Sequence, residues 1–187
     1  MKVLVFDNYD SFTYNIVHAL RELGCQPDVY RNDRISLDEI EKYDKIIISP
    51  GPGVPNEAGI LPEMLKRYSA TKPILGICLG HQAIGECFGG TLRNLDEVYH
   101  GVQSIITLKE EDYLFNGLPQ KFPVGRYHSW VVDKANLPEC IVVTAESNDG
   151  AIMALKHKTL DIRGVQFHPE SVLTPDGIKI LENWLNH

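Results

Sequence analysis

Short apolar runs alternate with amphipathic segments through the first half of the chain. Near-continuous apolar runs are typical of strands covered on both faces, so strands are predicted at residues 3–6, 28–30, 45–49 and 73–78. Apolar side chains at helical spacing predict helices at residues 11–23 and 79–88, each followed by glycine. A capping-box sequence from Ser36 to Glu39 predicts a further short helix. The pattern indicates a parallel sheet covered by helices.

Beyond residue 95 the apolar runs are shorter and turn-forming residues are more frequent. This spacing predicts antiparallel strands at residues 103–108, 141–145, 152–155 and 162–166, and a closing helix at residues 176–185. Because no repeat, linker or low-complexity segment interrupts the chain, we expect one domain over residues 1–187. The predicted fold class is α/β: three layers, with a mainly parallel central sheet, helices on both faces and a small antiparallel extension.

Composition narrows the possible partners and compartments. The 187 residues are 43% hydrophobic, which is enough for a buried core. A net charge of -7 without a basic run argues against a nucleic-acid partner. No apolar stretch approaches the roughly 18 residues that a membrane span needs. The amino terminus lacks a secretory signal, so we expect a cytoplasmic protein whose four cysteines, without CxxC spacing, stay free thiols.

Residues 76–80, Gly-Ile-Cys-Leu-Gly, have the pattern of a nucleophile elbow between a buried strand and a helix. At the start of that helix, the free amides and the helix dipole would favour the thiolate form of Cys78. The alternative is that the cysteine only fills the core, as free cysteines often do. We assign that structural role to Cys25, Cys87 and Cys140, which lack the glycine-framed turn.

Residues 167–170, Phe-His-Pro-Glu, supply a candidate base and its orienting carboxylate. Proline favours extended geometry in the preceding residue, and positions i and i+2 of an extended segment face the same side. Glu170 would then orient the His168 imidazole, completing a Cys-His-Glu triad with Cys78. The alternatives are a surface turn and a zinc deaminase, but the P-C-x-x-C partner motif of the deaminases is absent.

Residues 49–53, Ser-Pro-Gly-Pro-Gly, follow a predicted strand next to the one that precedes Cys78. Ligands of parallel sheets bind at the carboxyl ends of the strands. Glycine allows close approach of a backbone amide and proline stiffens the loop, so the segment is a candidate anion cradle. Taken alone, the segment is better interpreted as an ordinary turn, and the neighbouring elbow reverses this preference.

Together, the PGPG, GICLGHQ and GVQFHPES segments resemble the class I, triad-type glutamine amidotransferases over essentially the whole chain. Residues 7–15, Asp-Asn-Tyr-Asp-Ser-Phe-Thr-Tyr-Asn, resemble the branch that contains the small subunits of anthranilate synthase and aminodeoxychorismate synthase. In that branch, this segment lies near the partner subunit. The resemblance therefore implies an interface role for it here.

The resemblance also implies a role for each motif residue. Cys78 would attack the side-chain amide carbon of L-glutamine, His168 would transfer the proton, and Glu170 would orient His168. The backbone amides of Gly51 and Leu79 match the oxyanion hole of the family. The positions that match its glutamine-binding residues are Gly51, Pro52, Gly53, Gln82, Ser129 and Trp130. Leucine is commoner than tryptophan at the last position, and a backbone contact should tolerate the exchange.

The implied partner is a separate, chorismate-binding large synthase subunit that consumes the ammonia. Any magnesium would belong to that subunit, and we expect neither a cofactor nor a metal site in this chain. Anthranilate synthase is the favoured assignment, with aminodeoxychorismate synthase as the alternative. A free-standing hydrolase such as a γ-glutamyl hydrolase, and a catalytically silent regulatory module, remain the alternatives from other functional classes.

Overall fold

A computed structural model describes all residues of the chain, 1–187. It contains five α-helices and eleven β-strands. The helices are α1 (Thr13–Glu22), α2 (Leu37–Ile40), α3 (Leu61–Tyr68), α4 (Leu79–Cys87) and α5 (Gly177–Asn186). The strands are β1 (Val3–Asp7), β2 (Asp28–Arg31), β3 (Lys45–Ile48), β4 (Ile74–Ile77), β5 (Leu92–Asn94), β6 (Val102–Leu108), β7 (Lys121–Arg126), β8 (Trp130–Val132), β9 (Ile141–Ser147), β10 (Ile152–His157) and β11 (Ile162–Val165).

Nine of the strands form one sheet in the order β2-β1-β3-β4-β11-β10-β9-β6-β7. The strands from β2 to β11 pair in parallel, and those from β11 to β7 pair antiparallel. β5 and β8 form a separate antiparallel pair. The predicted α/β fold class is confirmed. None of the helices is both long and apolar enough to cross a bilayer.

Two hydrophobic cores lie on opposite faces of the parallel strands. α1 and α5 pack on one face, where Ile16, Leu20 and Trp184 are fully buried. α2, α3 and α4 supply the other face, with Leu65 and Ile84 fully buried. Alternate residues of β1 and β3 face the two cores, because successive strand side chains point to opposite faces. The resulting arrangement is the predicted three-layer one.

The antiparallel prediction for residues 162–166 is wrong on one side of the strand. β11 is antiparallel to β10 but parallel to β4, so it joins the two parts of the sheet. The predictions also omit α3, β5, β7 and β8. α3 carries buried residues at i, i+3, i+4 and i+7, a readable helical signal, whereas β5 and β8 have three residues each, too few for a period to show.

The functional motifs lie at one edge of the sheet. β1, β3, β4 and β11 run in the same direction and end close together, because they are consecutive neighbours in the sheet. The residues that follow them are Asn8, Ser49, Cys78 and Gln166. Segments that are far apart in the sequence therefore meet at the carboxyl ends of the parallel strands, as predicted.

Candidate active site

Cys78 lies on a strained turn between β4 and α4. Its backbone has φ 53° and ψ −100°, an uncommon conformation for a residue with a side chain. Two hydrogen bonds hold the turn: the Cys78 N–H donates to the Val165 carbonyl (2.8 Å), and the Gln82 N–H donates to the Cys78 carbonyl (3.0 Å). The residue is buried, with 6% of its surface exposed.

The two glycines of the elbow are required by close packing. A Cβ at Gly76 would lie 2.4 Å from the backbone of Gly80. A Cβ at Gly80 would lie 2.8 Å from the Cβ atom and the carbonyl oxygen of Ile48. Real Cβ atoms do not approach backbone atoms so closely, and the start of α4 can therefore pack on β3 and β4 only with glycine at both positions.

The His168 imidazole and the Glu170 carboxylate form a buried pair. Nδ1 of His168 and Oε1 of Glu170 are 2.7 Å apart, and the two side chains are 3% and 0% exposed. The predicted contact is present, but its geometry differs from the predicted extended segment. The Ser171 N–H donates to the His168 carbonyl, so a turn at residues 168–171 brings the carboxylate back to the ring.

The imidazole stands beside the Cys78 sulfur. Burial alone would lower the pKa of His168, but the Cys78 sulfur and the Glu170 carboxylate outweigh burial and raise the pKa above its ordinary value of 6.5. Nε2 is buried and forms no hydrogen bond of normal geometry, so the ring is near the sulfur without being fixed to it. Phe12 and Tyr127 pack on the ring, with centroids at 5.6 and 4.7 Å.

The Pro-Gly loop lies against the elbow. A Cβ at Gly51 would lie 2.6 Å from the Cβ atom of Asn8 and 2.9 Å from a methyl group of Leu79. Leu79 is the first residue of α4, where the backbone N–H groups have no partner within the helix. The two proposed oxyanion-hole residues are thus in contact. Pro52 and Gly53 are exposed on the same loop, and Gly53 has φ 72°.

Asn8 anchors this loop. Its N–H donates to Ser49 Oγ, and its side-chain amide donates to the Ser49 carbonyl, both at 2.9 Å. Its amide oxygen accepts a hydrogen bond from Asn32 (3.1 Å). Sequence reasoning missed this role, because the motif at residues 7–15 indicates only an interface segment. In fact Asn8 is buried, whereas the side chains of Tyr9 and Tyr14 are exposed.

Two of the predicted glutamine-binding residues contact each other directly. The side-chain amide of Gln82 donates to the Trp130 carbonyl (3.0 Å). It also donates to Oε1 of Gln166 (3.2 Å), whose own amide nitrogen donates to Cys78 Sγ (3.6 Å). Ser129 precedes Trp130 and is partly buried. Gln166 is not among the predicted site residues.

A second group, which is not among the predicted site residues, supports the Trp130 carbonyl. Nδ1 of His128 lies 3.0 Å from that oxygen, and Nε2 accepts a hydrogen bond from Arg126 Nε (3.1 Å). Arg126 is paired with Asp149 at 3.0 Å and lies under the Tyr99 ring. Burial first, and Arg126 second, lower the pKa of His128 to about 4. His128 is therefore a neutral donor to the carbonyl.

His81 is buried beneath the elbow, and neither of its ring nitrogens has a hydrogen-bond partner. Burial lowers its pKa to about 3, so the ring is neutral. No three or more His, Cys, Asp or Glu side chains are grouped so that they could hold a metal ion. Cys25, Cys87 and Cys140 are free thiols outside the group around Cys78.

The model of the family "Glutamine amidotransferase class-I" matches residues 4–187. The chain belongs to this family. This amidotransferase is 47% identical to Anthranilate synthase component 2 of Pseudomonas aeruginosa, over 98% of this chain and 94% of that protein. It is 46% identical to Aminodeoxychorismate synthase component 2 of Escherichia coli, over 98% of this chain and 99% of that protein.

Other similarities extend to a longer protein and to a solved structure. The Bifunctional protein TrpGD of Thermotoga maritima is 48% identical over 99% of this amidotransferase, which spans 32% of that protein. A Thermoplasma acidophilum protein, provisionally named as one of the subunits of GMP synthase, has a TM-score of 0.89 and 29% identity. That match covers 100% of this chain and 92% of the other.

Proposed function

We propose that this amidotransferase is the glutaminase subunit of a chorismate-using synthase, with anthranilate synthase as the favoured assignment. The observation that carries the proposal is the buried His168–Glu170 pair beside the Cys78 sulfur, on an elbow that packs against the Pro-Gly loop. The similarity to anthranilate synthase component 2 over nearly the full length of both chains supports the choice of pathway.

In the proposed reaction, the Cys78 thiol gives its proton to Nε2 of His168 and the sulfur attacks the side-chain amide carbon of glutamine. The Glu170 carboxylate holds Nδ1 and stabilises the charged imidazole. The imidazolium then returns the proton to the amide nitrogen, the C–N bond breaks, and ammonia leaves. Water, deprotonated by His168, finally cleaves the glutamyl thioester to glutamate.

The backbone amides of Gly51 and Leu79 are proposed to stabilise the tetrahedral oxyanion. One such donor contributes about 10²–10³ to the rate. The amino-acid end of glutamine would lie against Gln82, Ser129, Trp130 and the loop residues Pro52 and Gly53. The position of the Trp130 carbonyl in this region is fixed by the hydrogen bonds from Gln82 and His128.

The proposed partner is a chorismate-binding large subunit, which would consume the ammonia and hold any magnesium. Its contact surface on this chain is proposed to include the exposed side chains of Tyr9 and Tyr14. The same segment contains Phe12, which packs on His168 at 5.6 Å, so a contact there could reach the catalytic histidine. Cytoplasmic location and the absence of a cofactor in this chain stay predictions.

Aminodeoxychorismate synthase is the second candidate, favoured by the 46% identity to the component 2 of that enzyme in Escherichia coli. A free-standing hydrolase would instead release glutamate from γ-glutamyl peptides without any partner. A silent regulatory module is disfavoured, because the nucleophile, base and orienting carboxylate are all in place.

The decisive experiment combines the purified chain with each chorismate-using large subunit encoded in the same genome. We expect glutamine-dependent anthranilate with one of them, and Cys78→Ala should abolish this product while ammonium salts still support its formation. Formation of aminodeoxychorismate alone would transfer the assignment to the second candidate. Loss of the ammonium-dependent reaction as well would show that the thiol has a structural role and contradict the proposed chemistry.

A further inference from the structure

The side chain of Gln166 connects Cys78 to Gln82, which in turn bonds the Trp130 carbonyl. It is fully buried directly after β11, and its backbone N–H is fixed by the Met153 carbonyl (2.8 Å). Its amide nitrogen lies 3.6 Å from Cys78 Sγ, and its amide oxygen lies 3.2 Å from the Gln82 amide nitrogen. Since Nε2 of His168 forms no hydrogen bond of normal geometry, Gln166 is the side chain that hydrogen-bonds the sulfur in this structure.

The chemistry of the neighbours fixes which end of the Gln166 amide faces the sulfur. The Trp130 carbonyl can only accept a hydrogen bond, so the Gln82 amide nitrogen must point toward it. The second hydrogen of that nitrogen then points to Gln166 and requires an acceptor there, which is Oε1. The amide nitrogen of Gln166 is consequently directed at Sγ, where it can act only as a donor.

A donor aimed at a sulfur that becomes negatively charged has a specific effect. Hydrogen bonds to ionised acceptors are stronger than those between neutral groups, so the N–H favours the thiolate over the thiol. Unlike His168, an amide does not exchange its proton with the sulfur, and the contact persists whether or not the imidazole is charged.

We propose that Gln166 is a further catalytic residue, whose amide N–H stabilises and orients the Cys78 thiolate while its carbonyl oxygen holds Gln82 on the Trp130 carbonyl. The catalytic part of this inference rests on the proposed glutaminase function. The hydrogen bond to the sulfur does not, and it is measurable without any substrate.

Two variants separate the two ends of the amide. Gln166→Glu keeps an oxygen that can accept from Gln82 but removes the donor to the sulfur. Gln166→Met has a similar shape and removes both interactions. Gln103→Glu is the matched control, because Gln103 is exposed and its side chain bonds only the Leu173 carbonyl, away from the sulfur. Thermal unfolding of each variant verifies that it is folded.

The first readout is the pH dependence of alkylation of Cys78 by iodoacetamide, with the modified peptide identified by mass because three other free thiols are present. We expect the midpoint of this profile to rise by about one pH unit in Gln166→Met, as the loss of a hydrogen bond to a charged group predicts, and by more in Gln166→Glu, whose carboxylate also repels the thiolate. The control should be unchanged. Unchanged midpoints in both folded Gln166 variants would overturn the proposal.

The second readout is glutamine hydrolysis in the presence of the large subunit. The kcat should fall at least tenfold in both Gln166 variants, whereas KM should rise only in Gln166→Met, since only that variant releases Gln82. Equal KM changes in the two variants would contradict the link through Gln82. If the wild-type chain itself hydrolyses no glutamine, the proposed function fails, and the alkylation profile still decides whether Gln166 acts on the sulfur.

Discussion

Glu170 is buried and makes one strong contact, from Oε1 to Nδ1 of His168, while Oε2 has no hydrogen-bond partner. A buried carboxylate costs free energy of folding unless a hydrogen-bonded, oppositely charged partner offsets its lost hydration. The charge raises the pKa of His168, together with the Cys78 sulfur and against burial. Glu170 therefore acts through the imidazole: it holds the ring and favours its charged form.

This division of roles predicts a ranking of variants. Gln at position 170 would keep an oxygen that accepts from Nδ1 and lose only the charge, so Glu170→Gln should reduce kcat/KM for glutamine by less than the loss of the base does. His168→Ala removes the base itself and should cost about 10²–10⁴-fold or more. Steady-state glutaminase assays check the order. An equal loss in both variants would mean that the amide turns its nitrogen to the ring and reverses the tautomer.

The residues that could be predicted from the sequence are those whose chemistry is local. Cys78 is framed by glycines and His168 is two positions from Glu170, so spacing alone indicates their roles. Gln166 and Asn8 instead depend on partners that are distant in the sequence. Cys78 is 88 positions from Gln166, and Ser49 is 41 positions from Asn8. Only the folded sheet brings such pairs together, and no local pattern reports them.

Among the secondary-structure elements, α5 begins in close contact with the turn at residues 168–171. A Cβ at Gly177, the first residue of α5, would lie 1.7 Å from the Pro169 carbonyl oxygen. Thr174 reinforces the same contact region, because its hydroxyl donates to the His168 carbonyl at 2.6 Å. The start of the helix thus supports the turn that carries His168 and Glu170.

Gly177→Ala should therefore force α5 away from the turn. We expect a loss of about 3 kcal/mol in the free energy of unfolding, the upper part of the range for overpacked sites, with a parallel loss of glutaminase activity. The control is Gly150→Ala, whose Cβ would meet nothing within 4 Å and whose φ of 80° carries only a backbone penalty of about 1–2 kcal/mol. Urea unfolding measures both. A smaller effect at Gly177 than at Gly150 would contradict the supporting role.

The elements that could be predicted were those with a long or uninterrupted apolar pattern, such as β3, β4 and α4. The short β5 and β8 were missed because three residues carry too little pattern. The direction of β11 could not be inferred either. Its four residues are compatible with both partners, and the choice depends on β4 and β10, which lie on its two sides.

At the scale of the whole molecule, two neutral, buried histidines lie next to the site. His81 lies under the elbow and His128 behind the Trp130 carbonyl, and burial is the main reason that their pKa values fall to about 3 and about 4. α4 and β8, the strand that begins at Trp130, pack against each other in this region, and burial there keeps both rings uncharged. Formation of the site and resistance to acid are therefore linked.

This linkage predicts acid destabilisation with a definite sign. Between pH 6.5 and 5 the unfolded chain takes up a proton on each of these histidines, whereas the folded chain does not, because both folded-state pKa values lie below that window. The free energy of unfolding should then fall by up to about 1.4 kcal/mol per pH unit for each histidine. Urea unfolding at several pH values measures the slope.

His81→Gln should reduce the slope by the contribution of about one proton. His18→Gln, a change at an exposed helix position, is the control and should leave the slope unaltered. An unchanged slope in His81→Gln would show that the imidazole is protonated in the folded chain and that the elbow tolerates a charge beneath it.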